Sequence, residues 1–263
     1  YVLNMKSGVE TEILSSLVSS YGETTESLAD ELRKQRQRQM ETGVYSYQWG
    51  EDGDHILICV GSDVFVARGL GESFVALSRT PAVQVTDPQF SSHGSQIGYV
   101  HNGEVWMSMV DGNSSVQLTF GADKLGTYRG RAEYIAQEEM GRKTGFWWSP
   151  TGKHIAFTEI DERHIPVYRI VHQGKGLVGE GAQEDHRYPF AGKKNANFRL
   201  GVVSIAGEDP VWMNTSEWEY LARVAWFADG TLAAQMQNRE QTKLVLARFD
   251  IATGKRQDVL IEE

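Results

Sequence analysis

Glu138 and Glu139 stand side by side in the stretch Ala132-Glu133-Tyr134-Ile135-Ala136-Gln137-Glu138-Glu139-Met140, and Arg142 and Lys143 follow four residues later. The stretch is helix-like inside a chain that otherwise reads as β. Two chemistries fit it. Adjacent carboxylates that converge on one point can grip a cation through charge-assisted hydrogen bonds. On a continuing helix the same spacing gives two ion pairs, Glu138–Arg142 and Glu139–Lys143, each worth about 0.2–0.5 kcal/mol. Spacing leaves both open.

Other chemistry is harder to find. The sequence has no Gly-x-Ser-x-Gly nucleophile elbow, and Ser62, Ser95 and Ser114, which stand near glycines, do not fit one. His55, His93, His101, His154, His164, His172 and His186 show no metal-ligand spacing, and no phosphate-binding glycine loop occurs. No metal, cofactor or catalytic residue is therefore expected in this chain. A formal charge of −9 argues against a nucleic-acid binder, which needs a basic footprint. No run approaches the ~20 apolar residues of a membrane span. The chain does not begin with Met, so its compartment is not legible; a soluble setting, leaning to the cytoplasm, is the expectation. Cys59, the single cysteine, lies in an apolar run and should be a buried core residue.

The elements that must position the carboxylates come from a repeat. An aromatic residue is followed four positions later by glycine, at Trp49 and Gly53, Phe90 and Gly94, Trp148 and Gly152, and Trp226 and Gly230; an apolar run follows each. This reads as strand, tight turn and returning strand, with glycine supplying the positive φ of the turn. Further strands follow, at 104–110 after the turn signal Asn102-Gly103, at 115–119, at 243–249 and at 258–261. Each unit is about four short antiparallel strands, the plan of a propeller blade, with a β-sandwich as the alternative.

The fold class is thus all-β, a partial β-propeller with short helical insertions. An N-terminal helical or linker segment covers 1–43, with a helix over 26–38, and the propeller portion covers 44–263. Blades are expected at about 44–80, 84–120, 144–214 and 219–263. Uneven repeat spacing marks insertions at 121–145, with the Glu-Glu helix at about 130–143, and at 172–197. The second, polar and glycine-rich with little strand pattern, should project as an arm over 172–187. Insertions in a regular scaffold are where function tends to sit.

The segment 132–150, from the Glu-Glu stretch to Phe146-Trp147-Trp148-Ser149-Pro150, resembles dipeptidyl-peptidase IV and its relatives among the prolyl oligopeptidase-type serine peptidases. Ile160-Asp161-Glu162, Ile165-Pro166-Val167-Tyr168 and the Tyr188-Pro189, Gly192 and Asn195 pattern agree with it. The linker Gly141-Arg142-Lys143-Thr144-Gly145-Phe146 is closer to the bacterial, plant and dipeptidyl-peptidase 8/9-like branch. The resemblance implies an eight-bladed propeller, of which about four blades lie here, capping an α/β-hydrolase domain that is absent from this chain. It implies that Glu138 and Glu139 bind the free α-amino group of a peptide. It also implies that an early-blade arginine, Arg38 or else Arg36, contacts a substrate carbonyl. The implied activity is release of N-terminal dipeptides after Pro or Ala, and the implied partners are peptides with a free N-terminus, the hydrolase domain and a second subunit in a homodimer. A non-catalytic propeller used as an interaction module, or the propeller of a related oligopeptidase, are the alternatives. The chain by itself should be inactive.

Overall fold

The computed structural model describes residues 2–3, 5–11, 44–60, 63–69, 74–77, 85–112, 114–123, 125–171 and 183–263. The helix expected over 26–38, and with it Arg36 and Arg38, lies outside the described residues.

Almost every described element is a strand. A two-stranded sheet of β1 (Val2–Leu3) and β2 (Glu10–Thr11) comes first. The first blade is β3 (Val44–Trp49), β4 (His55–Val60), β5 (Asp63–Arg68) and β6 (Val75–Ala76), hydrogen-bonded in sequence order and antiparallel. The second blade repeats this plan with β7 (Thr86–Phe90), β8 (Gln96–His101), β9 (Glu104–Met109) and β10 (Ser115–Gln117). The third is a five-stranded sheet, described below. The fourth is β18 (Tyr220–Trp226), β19 (Leu232–Gln237), β20 (Leu244–Phe249) and β21 (Arg256–Glu262). These are the open, antiparallel blades of a partial propeller.

The recurring motif explains how the blades form and how they stack. In all four copies the aromatic is the last residue of its strand, and the residue after it accepts from the glycine N–H at 2.9 Å. The glycines have φ of 69°, 69°, 65° and 84°, the left-handed region that other residues enter at a cost. Two of the aromatics also tie one blade to the one before. Trp148 Nε1 donates to the carbonyl of Gln89 (3.3 Å), and Trp226 Nε1 donates to that of Trp147 (3.1 Å). Between the first two blades the Phe90 N–H donates to Gln48 Oε1. Each indole, buried at Trp148 and partly buried at Trp226, thus finds an acceptor at the equivalent place in its neighbour, which satisfies its polar edge while its ring packs at the interface.

Three apolar cores lie face to face between successive blades. Leu57, Val66, Ile97 and Tyr99 fill the first; Val105, Phe146, Phe157 and Val203 the second; Leu200, Val202, Leu232 and Met236 the third. Central strands β4, β5 and β8 are buried on both faces, which is why they read as unbroken apolar runs rather than alternating ones. Cys59 is buried in the first core.

The third blade departs from the plan read in the sequence. Its order is β11 (Thr127–Arg131), β12 (Thr144–Trp148), β13 (His154–Asp161), β16 (Asn197–Ser204) and β17 (Val211–Trp212). β11, read as part of an insertion, belongs to the sheet. It pairs with residues 159–161 of β13 while β12 pairs with 155–157, so the two are halves of one interrupted edge strand. They cross at Gly130 and Gly145, where a Cβ on Gly145 would lie 2.4 Å from the Arg131 backbone. The buried Thr158 hydroxyl spans the gap, 3.0 Å from the Arg131 carbonyl and 3.2 Å from that of Gly145. What leaves the sheet at this interruption is the Glu-Glu segment. The arm also begins earlier than expected: β14 (Val167–Val171) and β15 (Gln183–Arg187) form an antiparallel ribbon outside the five-stranded sheet, with 172–182 outside the described residues.

Candidate functional site

The excursion between β11 and β12 carries the single helix among the described residues, α1 (Tyr134–Glu138). Glu133 caps it: the backbone there is extended, and the carboxylate accepts the Ala136 N–H at 3.0 Å. Such a cap satisfies a donor that the helix start leaves orphaned. Ala136, fully buried, is the side the helix turns inward. The helix stops at Glu138 with Glu139 as its C-cap, and Gly141 (φ 63°) reverses the chain so that the Arg142 N–H returns to the Ala136 carbonyl at 2.9 Å.

Glu138 and Glu139 are both exposed on this last turn, and no side-chain hydrogen bond or ion pair forms at either among the described residues. The two helical ion pairs that the spacing allowed do not form. Their geometry requires the helix to continue through 143, and Gly141 ends it first. Lys143 is exposed. Arg142 turns the other way and is 5 % exposed. Its Nε donates to the Leu221 carbonyl of β18 (3.0 Å), its Nη1 to the Thr144 carbonyl (3.1 Å), and its Nη2 stands 3.6 Å from Glu133. Burial pulls its pKa below the ordinary arginine value, and the Glu133 carboxylate opposes that pull. From the fourth blade Arg223 donates to the Met140 carbonyl at 2.7 Å.

The surroundings hold two further groups whose contacts were not legible in the sequence. Tyr128, on β11, donates its hydroxyl to Glu162 at 2.5 Å, with the Arg131 guanidinium 4.5 Å from its ring centre. Burial, reinforced by the Glu162 charge, pushes the Tyr128 phenol well above its ordinary pKa, so it stays a neutral donor. A run of edge-to-face aromatics joins the helix to the ribbon: Tyr134 to Tyr188 (5.1 Å), Tyr188 to Phe190 (5.0 Å) and Phe190 to Tyr168 (5.8 Å). In the sequence Glu162, Tyr168 and Tyr188 stood out only as parts of the motifs that carry the resemblance, with no contact or role attached to them. Among the described residues there is no cluster of side chains able to hold a metal ion, and no helix long and apolar enough to cross a membrane.

The family described as the dipeptidyl peptidase IV (DPP IV) N-terminal region matches residues 71–263. Human prolyl endopeptidase FAP is 28% identical over 170 residues, 61% of this chain and 22% of that protein. Human dipeptidyl peptidase 8 is 24% identical over 254 residues, 82% of this chain and 28% of that protein. The crystal structure of Porphyromonas gingivalis dipeptidyl peptidase 4 superposes with a TM-score of 0.75 at 22% identity, over 83% of this chain and 33% of that one, and so shares the fold. The chain spans between about a fifth and a third of the length of these relatives. With the family match running over well more than half its length, the chain belongs to the dipeptidyl peptidase IV family of serine peptidases, as part of that family's N-terminal β-propeller region.

Proposed function

We propose that this chain is the substrate-gating, N-terminus-recognising propeller portion of a dipeptidyl-peptidase IV-like serine exopeptidase that releases Xaa-Pro or Xaa-Ala dipeptides. Glu138 and Glu139 hold the free α-amino group, and Arg38 contacts a substrate carbonyl. The observation that carries this reading is a pair of adjacent, exposed carboxylates at the end of a short helix, with no ion pair at either among the described residues and with Arg142 turned away from them. They stand at the carbonyl end of a helix with no basic residue in its last turn. That end carries partial negative charge, which favours a cation there. An α-amino group, with a pKa of about 8, is mostly charged at neutral pH and offers three N–H donors. Only a chain terminus brings such a group to a fixed distance from a nucleophile, so the pair would act as a ruler.

Glu138→Gln and Glu139→Gln in the full-length enzyme test the reading. Each change keeps the shape and removes a charge, and kcat/KM for a free-amine dipeptidyl substrate should fall by about 10-fold or more, since hydrogen bonds to charged groups are worth roughly 1.5–3 kcal/mol. Thermal stability should hold, because no pair is broken. Unchanged kcat/KM in both variants would end the clamp reading and leave the propeller of a related oligopeptidase as the alternative.

The ribbon supplies the second part of the proposal. Val167, Tyr168 and Val171 are exposed on β14, and this apolar edge is offered as a pairing surface for a second subunit. Deleting 174–182 and replacing Tyr168 with Ser should shift the full-length protein from dimer to monomer in sedimentation. A dimer of unchanged affinity refutes the pairing role.

A further inference from the structure

We propose that Arg142 is a positioning residue for N-terminus recognition, setting where Glu138 and Glu139 stand through contacts that join α1 to the fourth blade. The inference rests on the carboxylate-clamp reading above. A helix as short as Tyr134–Glu138 cannot hold a shape by itself. Its geometry comes from what it is tied to, and most of those ties converge on one guanidinium. Arg142 Nε reaches the Leu221 carbonyl across the blade interface; Nη1 reaches the Thr144 carbonyl where the chain re-enters the sheet; Nη2 faces the N-cap carboxylate of Glu133. Its own N–H closes the turn on the Ala136 carbonyl. The two ends of the excursion and the neighbouring blade therefore meet at one buried side chain, three residues past Glu139.

Leu221 sits beside a register shift in the pairing of β18 with β19, between Leu221 and Arg223, so the acceptor lies where the regular ladder is broken. Arg223, on the other side of that irregularity, holds the Met140 carbonyl. The fourth blade thus grips the turn after Glu139 at two points, one buried and one exposed. A rotation between the third and fourth blades would carry the carboxylates with it. Arginine suits this role because its planar fork addresses several acceptors in fixed directions, whereas lysine is a point charge on a flexible stem.

The test uses the full-length enzyme and four variants: Arg142→Met, Arg142→Lys, Glu139→Gln, and Arg142→Met combined with Glu139→Gln. Arg142→Met should raise KM for a free-amine dipeptidyl substrate by about 10-fold or more, the scale expected when a binding group is misplaced by an ångström. Arg142→Lys should recover part of the loss. Labelling of the serine nucleophile by a fluorophosphonate should keep its rate, a separation that general unfolding would not give. The losses in the double variant should fall short of additive, because Arg142 then has only Glu138 left to position. Wild-type KM in Arg142→Met, or losses that add in the double variant, overturns the proposal while leaving the clamp standing. Wild-type kinetics in Glu139→Gln and Glu138→Gln instead removes the clamp itself.

If Arg142→Met does not fold, Gly141→Ala carries the test. Gly141 has φ 63° and open space around its Cβ, so alanine strains the turn without a clash. KM should rise several-fold with fluorophosphonate labelling intact, and an unchanged KM refutes the dependence on this turn.

Discussion

Removing the Arg129 guanidinium should destabilise the protein more than removing any exposed arginine, because of where its partners lie. Arg129, on β11 and 10 % exposed, bonds Glu104 of the second blade at 3.2 and 3.4 Å and also pairs with Glu159 on β13. Glu104 further accepts the Thr119 hydroxyl at 2.6 Å and the Ala122 N–H, and Glu159 pairs with Arg199 at 3.1 Å. Arg199 in turn lies 3.5 Å over the Trp212 ring. Breaking a buried pair by removing one partner costs roughly 3–5 kcal/mol, since an uncompensated charge stays behind. Here each stranded carboxylate keeps another donor, so Arg129→Met should cost about 3 kcal/mol, the low end. The exposed pair Arg169–Asp185 has shorter contacts than Arg129 makes with Glu104, both at 2.6 Å, yet Arg169 is 59 % exposed, and surface pairs are worth about 0–1 kcal/mol. Urea unfolding of Arg129→Met and Arg169→Met, with matching slopes, measures the two side by side. Equal losses would show that burial does not govern these pairs. Replacing both Glu104 and Arg129 with Met should not restore stability, because the Thr119 hydroxyl and Ala122 N–H would lose their acceptor.

Two further outcomes follow from local geometry. Gly94→Ala should destabilise more than Gly230→Ala, although both glycines have positive φ, because a Cβ at 94 would stand 2.5 Å from Asp52 Oδ2 whereas nothing lies near one at 230. The left-handed conformation alone costs a non-glycine residue about 1–2 kcal/mol, so Gly230→Ala sets the baseline, and equal melting shifts would refute the contact between neighbouring turns. Asp161 is held at a pKa of about 2 by hydrogen bonds from Arg163, opposed by partial burial, so its contribution is fully present above the unfolded value and fades as pH falls through the folded one. The pair is partly exposed and should be worth less than about 1 kcal/mol. The stability gap between wild type and Asp161→Asn should be constant above about pH 5 and shrink between about pH 4 and 2, and a gap that widens on acidification would reverse the sign.

What could be read in the sequence was what is decided locally. A positive-φ glycine four residues after an aromatic closes its turn within the motif, so all four turns were legible, as was the turn at Asn102 and Gly103, both with positive φ. The Glu-Glu pair was legible as two neighbouring charges, and Cys59 as a small residue in an apolar run. The rest depends on partners far along the chain. β11 was placed in an insertion because the repeat spacing is uneven there, and nothing local says that Arg129 pairs with Glu104 and Glu159. The ribbon strand β14 is exposed at every position, so it has no buried face to impose a pattern.

Arg142 is the sharpest case. Its spacing from Glu138 suits a helical ion pair, and the two readings of that spacing differ by a single glycine. With Gly141 ending the helix, the arginine turns to a carbonyl 79 positions away in another blade, and the carboxylate beside it is left without its cation. The feature that hides the arginine's role in the sequence is therefore the one that exposes the glutamates. A substitution at 141 that let the helix run on would bring Arg142 back toward Glu138, and would trade the proposed site for an ordinary surface ion pair.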